Sequence, residues 1–110
     1  MSEAVRLERC AEVAAAVTTM IPVIFEGKAR PERLAEALPA VARIRSVIEA
    51  GDAGIDDERF RAWLRVAPAN IQELENALEA GDADAAFTAF RDPERGLHLL
   101  TAGCEGCPGW

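Results

Sequence analysis

The stretch that decides the fold runs from residue 57 to residue 82 and reads DERFRAWLRVAPANIQELENALEAGD. Apolar side chains recur in it at steps of three and four residues, which is the spacing of one helix face. Asp56 or Asp57 is a typical N-cap residue and Gly81 a typical helix stop, so the pattern predicts one helix between them. We expect Pro68 to interrupt this helix, because proline lacks the backbone N–H that a helix interior needs. The apolar side chains of the stripe are Phe60, Leu64, Ala67, Ile71, Leu74 and Leu78.

Three further segments carry apolar stripes with the same period, over residues 2–26, 31–51 and 82–103. Asp92-Pro93-Glu94 is a second start signal inside the last segment, where we expect its helix to break. No stretch reads as a strand and the connections are short. The sequence therefore predicts an all-α antiparallel four-helix bundle over residues 1–102, with a short Gly/Cys-rich C-terminal tail over residues 103–110. We expect bends or ends at the prolines of the four segments, which are Pro22, Pro39, Pro68 and Pro93.

Composition and charge limit the classes of function. The chain has 110 residues, of which 50% are hydrophobic, so it forms one domain with a real core. Its net charge of −7 repels phosphate backbones and anionic lipid, so we expect no nucleic-acid partner and no membrane partner. No segment is long enough to span a bilayer and the N-terminal residues show no export signal. We therefore expect a cytoplasmic protein whose three cysteines are reduced unless they bind metal or carry out redox chemistry.

The motif that carries chemistry is Cys104-Glu105-Gly106-Cys107-Pro108. A C-x-x-C spacing brings two sulfur atoms close enough for one metal ion, one cluster edge or one disulfide. The surrounding glycines favour a turn over a helix. We predict that Cys104 and Cys107 act as thiolate ligands of zinc or of an iron–sulfur cluster, or as a redox pair, on a non-enzymatic carrier or scaffold. The alternative is a frayed tail that happens to hold two thiols.

Two more residues are candidates for completing a metal site, because a closed zinc site needs four ligands. Cys10 lies on the apolar face of the first helix, and in an up-down-up-down bundle the start of that helix is next to the end of the fourth. His98 is the only histidine and stands about 240° around a helix from Cys104. Core packing for Cys10 and a surface position for His98 are the alternatives. Without a Glu-x-x-His pair, a Gly-rich phosphate loop or a Ser/His/Asp set, we expect no enzyme activity.

Four short motifs stand out along the chain, which are Phe60-x-x-Trp63, Leu74-x-x-Ala77-Leu78-Glu79-Ala80-Gly81-Asp82, Ala86-Phe87 and Cys104-x-x-Cys107. Together they resemble the cytochrome c′ and c-556 group. The resemblance implies a four-helix bundle with a haem-attachment C-x-x-C-H near its C-terminus. Pro108 stands where that motif has its haem-ligating histidine, so we do not expect covalently bound haem c.

The segment from Gly103 to Pro108 also resembles the G-x-C-x-x-C-P segment of iron–sulfur scaffold proteins of the NifU type. That resemblance implies a homodimer in which each subunit gives two thiolates to a shared cluster. Two readings without metal stay open. In one, residues 1–103 form the recognition domain of a precursor peptide, and the tail CEGCPGW is the substrate of modifying enzymes. In the other, the chain is a protein–protein interaction module.

Overall fold

The chain folds into helices only, within the residues 2–92 and 94–110 that the computed structural model describes. This confirms the all-α class. Two short 3-10 helices, over Pro31–Ala37 and Leu97–Leu99, precede the second and the last α-helix. The α-helices are α1 (Ser2–Glu26), α2 (Leu38–Ala50), α3 (Glu58–Ala80), α4 (Ala83–Phe90) and α5 (Leu100–Gly103).

The ends of α3 follow the capping signals of the sequence. The side chain of Asp57, rather than that of Asp56, accepts hydrogen bonds from the backbone N–H groups of Arg59 and Phe60. Gly81 ends the helix with φ at +71°, a left-handed conformation that glycine adopts without a steric penalty. These caps fix where α3 begins and ends, and therefore which of its side chains face the core.

Pro68 lies inside α3, so the expectation that it interrupts the helix is wrong. The ring removes one backbone hydrogen bond, but Ala67 and Ile71 on either side are buried in the core. Tertiary packing of an apolar face supplies most of the stability of a helix in a protein, and here it outweighs the lost bond. Pro22 likewise lies within α1, which continues to Glu26.

The second and fourth predicted segments are each split into shorter helices near a proline. Pro39 lies in the first turn of α2, directly after the 3-10 helix, so the second predicted segment is split in two. The fourth segment is also split, because α4 ends at Phe90. The Asp92 carboxylate then accepts hydrogen bonds from the backbone N–H groups of Glu94 and Arg95. Pro93 itself lies outside the described residues.

The core lies around α3, which contacts α2, α4, α5 and both 3-10 helices. Trp63, Met20 and Leu74 are buried, as expected for residues on apolar stripes. Leu64 is only half-buried, because it lies at the edge of the stripe. Among the described residues, no helix combines the length and the apolar character needed to cross a bilayer. The remaining large side chains with almost no exposed surface include Phe60, Ile24, Leu34, Ile44, Ile55, Ile71, Leu78 and Leu100.

Candidate functional site

A disulfide joins the two ends of the fold. The sulfur atoms of Cys10, on α1, and Cys104, directly after α5, are bonded, and their Cα atoms lie 5.7 Å apart. The bond closes a loop of 94 residues, which is most of the chain. Both side chains are completely buried, with an exposed fraction of 0%.

The residues that follow α5 form two successive turns that share Cys107. The N–H of Cys107 donates to the carbonyl of Cys104 at 3.0 Å, and the N–H of Trp110 donates to the carbonyl of Cys107 at 3.1 Å. The third residue of each turn is a glycine with positive φ, +85° at Gly106 and +91° at Gly109. A positive φ at this position is the pattern of a type II turn, and Pro108 occupies the position that proline favours in the second one. The sequence CEGCPGW therefore dictates its own local conformation, as the glycines predicted.

This C-terminal double turn (residues 103–110) packs on α1 instead of fraying. The indole Nε1 of Trp110 donates a hydrogen bond of 2.8 Å to the carbonyl of Cys10. On the other side, a Cβ placed on Gly103 would lie only 3.0 Å from the Cα of Phe60. Glycine thus allows the end of α5 to approach the backbone of α3 closely, and this approach sets the position of Cys104.

Arg6, one turn before Cys10 on α1, holds the double turn from the side. Its Nη1 donates to the carbonyl of Gly103 at 2.9 Å and to that of Glu105 at 3.4 Å, and the side chain is buried. The carboxylate of Glu3 hydrogen-bonds the same guanidinium. The hydrogen bond to Glu3 raises the pKa of Arg6. Arg6 is therefore a cation fixed against the double turn.

Three residues of one face of α1 thus contact the double turn. Arg6, Cys10 and Ala14 are spaced by four, which places them side by side on a helix. Arg6 donates hydrogen bonds to the carbonyls of Gly103 and Glu105, and Cys10 is bonded to Cys104. Ala14 lies opposite Gly109, because a Cβ placed on Gly109 would be 3.6 Å from the Cβ of Ala14. We call this set the α1 stripe.

Cys107 is the one cysteine left as a thiol. It lies three residues after Cys104 and has an exposed fraction of 4%, which makes it the most accessible of the three. Oxidation to a disulfide needs only two of the three sulfur atoms. A disulfide next to a third thiol can exchange its partner, because a thiolate attacks a disulfide sulfur and releases the other one.

The residues singled out in the sequence lie as follows. Cys10 and Cys104 are brought together and Cys107 lies in the adjacent turn. His98 is exposed in the second 3-10 helix and lines a groove next to Trp110. In the part of the chain that the structure describes, no three His, Cys, Asp or Glu side chains are grouped so that they could hold a metal ion. With its sulfur bonded to Cys10, Cys104 is not a thiolate ligand in this state.

Two residues of the site went unnoticed in the sequence. Trp110 follows a Pro-Gly pair, which is a turn signal that returns the chain toward its own helix. The burial of Arg6 could not be predicted, because a buried arginine on a polar helix turn has the same sequence pattern as a solvent-exposed one. Comparison of the chain with family models, with curated proteins and with solved structures found no match.

Proposed function

We propose that this protein is a small, non-enzymatic redox protein that carries electrons through its C-terminal cysteines by thiol–disulfide exchange. The observation that supports the proposal is the Cys10–Cys104 disulfide followed, three residues later, by the thiol of Cys107. The proposal includes the antiparallel four-helix arrangement predicted from the sequence. In that arrangement the start of the first helix lies beside the end of the fourth segment. The contacts of α1 with the double turn support that arrangement.

Burial decides where exchange begins. An external thiolate must reach a sulfur along the S–S axis, and Cys10 and Cys104 present no surface to it. Cys107 is the cysteine nearest to solvent, so it is the sulfur through which electrons enter and leave.

The exchange has two balanced steps. In the first, the Cys107 thiolate attacks the Cys104 sulfur, so that the Cys104–Cys107 bond forms and the Cys10–Cys104 bond breaks. The electron pair stays on the Cys10 sulfur, which takes a proton. In the second, a partner protein with two thiols reduces the Cys104–Cys107 disulfide through a mixed disulfide on Cys107. The partner becomes a disulfide, and two electrons and two protons end on Cys104 and Cys107.

The proposed partner is a dithiol protein, in keeping with a net charge of −7 that disfavours nucleic acid. We place the protein in the cytoplasm, where disulfides are transient and redox-active rather than structural. The hydrogen bonds that hold the double turn on α1 support this role over that of a precursor peptide. A modifying enzyme would first have to detach the double turn from α1.

The experiment follows the positions of the disulfide in buffers of defined thiol and disulfide concentration. Free thiols are blocked, and the protein is cleaved after its glutamates, which places Cys10, Cys104 and Cys107 on separate peptides so that mass spectrometry distinguishes the three possible disulfides. We expect the wild type to pass from Cys10–Cys104 through Cys104–Cys107 to the reduced form. Cys107→Ser should slow reduction by an external dithiol at least tenfold, while Cys10→Ser retains the C-x-x-C and should exchange fast.

Equal rates for Cys107→Ser and wild type would contradict the proposal, as would a disulfide that opens only when the protein unfolds. Stoichiometric zinc or iron bound to the reduced protein, and lost in the double variant Cys104→Ser, Cys107→Ser, would favour the metal-binding form of the prediction instead. A native protein whose tail is modified or cleaved would favour the precursor alternative.

A further inference from the structure

A groove next to the double turn has the dimensions of a small-molecule site. It encloses about 490 Å³ between α1, α4 and the C-terminal residues. Small ligands bind in clefts of about 300–1,000 Å³ that are lined mainly by apolar and aromatic side chains. The apolar part of the lining comes from Val17, Phe90, Leu97 and the indole of Trp110.

An exposed cation that forms no ion pair with a described carboxylate lies at the edge of this groove. Arg91 lines the groove, and its guanidinium carbon stands 5.0 Å from the centre of the Phe87 ring. The Nζ of Lys28 lies 5.1 Å from the centre of the same ring. Over residues 2–92 and 94–110, neither cation forms an ion pair with a carboxylate, whereas most arginines of the chain do.

We propose that this groove binds a small amphipathic carboxylic acid. The hydrocarbon chain lies against Phe90, Leu97 and Trp110, and the carboxylate pairs with Arg91. The side chains of His98 and Thr101 at the groove supply further hydrogen-bonding groups. A neutral apolar ligand would gain no ion pair with the exposed guanidinium of Arg91. A polyanion would be repelled by the net charge of −7.

This site is independent of the redox proposal, and its test uses the oxidised full-length protein. The probe is decanoate below its micellar concentration, and binding is measured by calorimetry. We expect saturable binding with one site, and much weaker binding of decanol, which has the same chain without the charge. Arg91→Gln should weaken decanoate binding about tenfold or more, because a charge-assisted pair is lost. Arg65→Gln, which removes the same charge from an exposed site on α3, should leave it unchanged.

A second variant tests the groove itself. Thr101 is exposed at the groove, so Thr101→Trp should fill it and abolish binding while the helical circular dichroism spectrum is retained. Thr19→Trp places the same side chain on an exposed face of α1 and serves as its control. Absence of decanoate binding at millimolar concentration, equal binding of decanol, or equal effects of Arg91→Gln and Arg65→Gln would overturn the proposal. So would a dimer in sedimentation that Thr101→Trp dissociates, because the groove would then be a subunit interface.

Discussion

Reduction of the Cys10–Cys104 disulfide should remove a large part of the stability of the fold. The bond closes a loop of 94 residues, and the loss of chain entropy in the unfolded state stabilises the native state by about 4.7 kcal/mol for a loop of that length. A domain of this size has a total stability of about 5–15 kcal/mol. We therefore expect the reduced protein to stay folded, with a free energy of unfolding lowered by about 4.7 kcal/mol.

The assay is equilibrium unfolding in guanidinium chloride, followed by helical circular dichroism with and without a phosphine reductant. With a slope of about 2–5 kcal/mol per molar, the midpoint should fall by about 1–2 M on reduction. The double variant Cys10→Ala, Cys104→Ala should unfold near the midpoint of the reduced wild type whether or not reductant is present. Cys107→Ala is the matched control, because it removes a buried sulfur and keeps the cross-link, so its response to reductant should equal that of the wild type. A midpoint that does not change although mass spectrometry shows complete reduction would refute the reasoning.

Three further predictions concern the bundle. Leu74→Ala deletes a side chain with no exposed surface and should lower the free energy of unfolding by about 2–5 kcal/mol, while an unchanged midpoint would contradict the assignment of the α3 face. Gly103→Ala should cost about 1–3 kcal/mol by the same measurement, because the new Cβ would press on the backbone of Phe60, which cannot move aside as a flexible side chain could. Burial raises the pKa of Asp57, but hydrogen bonds from Phe60 and Arg59 outweigh it and hold the pKa below its ordinary value of 3.8. The stabilisation by this cap is therefore complete above about pH 3.8 and disappears as the pH falls through the lowered pKa. At neutral pH Asp57→Ala should cost about 0.5–2 kcal/mol, and Asp57→Asn should retain the cap and weaken the acid dependence; an equal loss in both variants would argue against the capping role.

The helices could be predicted because their signals are local. Asp57 and Gly81 cap α3 through contacts within one turn, and the apolar period of that helix is set by its own geometry. The effect of Pro68 on α3 could not be predicted, because it depends on the rest of the molecule. The backbone bond that it removes is a fixed cost, whereas the packing of Ala67 and Ile71 that offsets it depends on which helices lie against them.

The site was predictable only in part, for a related reason. The glycines at 106 and 109 determine two turns from sequence alone. The spacing of Cys104 and Cys107 gives the distance along the chain between two sulfur atoms, but it does not give the direction in which either points. The pairing of Cys104 with Cys10 depends on the tertiary contact between α1 and the end of α5. The sequence therefore allows Cys10 to lie near the C-x-x-C motif, but it does not determine whether Cys104 pairs with Cys10 or with Cys107.

The α1 stripe explains how one bond can serve both stability and exchange. Cys10 lies at the centre of the stripe, with the hydrogen bonds of Arg6 to the double turn on one side. On the other side, the bond from Trp110 to the Cys10 carbonyl holds the end of the chain. When the disulfide opens, these flanking contacts keep the double turn beside α1, so the three sulfur atoms remain at a high effective concentration. Re-formation of the long-range disulfide is then an intramolecular step rather than a search by a free chain end. The proposed function requires this property, because a partner must be able to break the cross-link, and the protein to restore it, without unfolding.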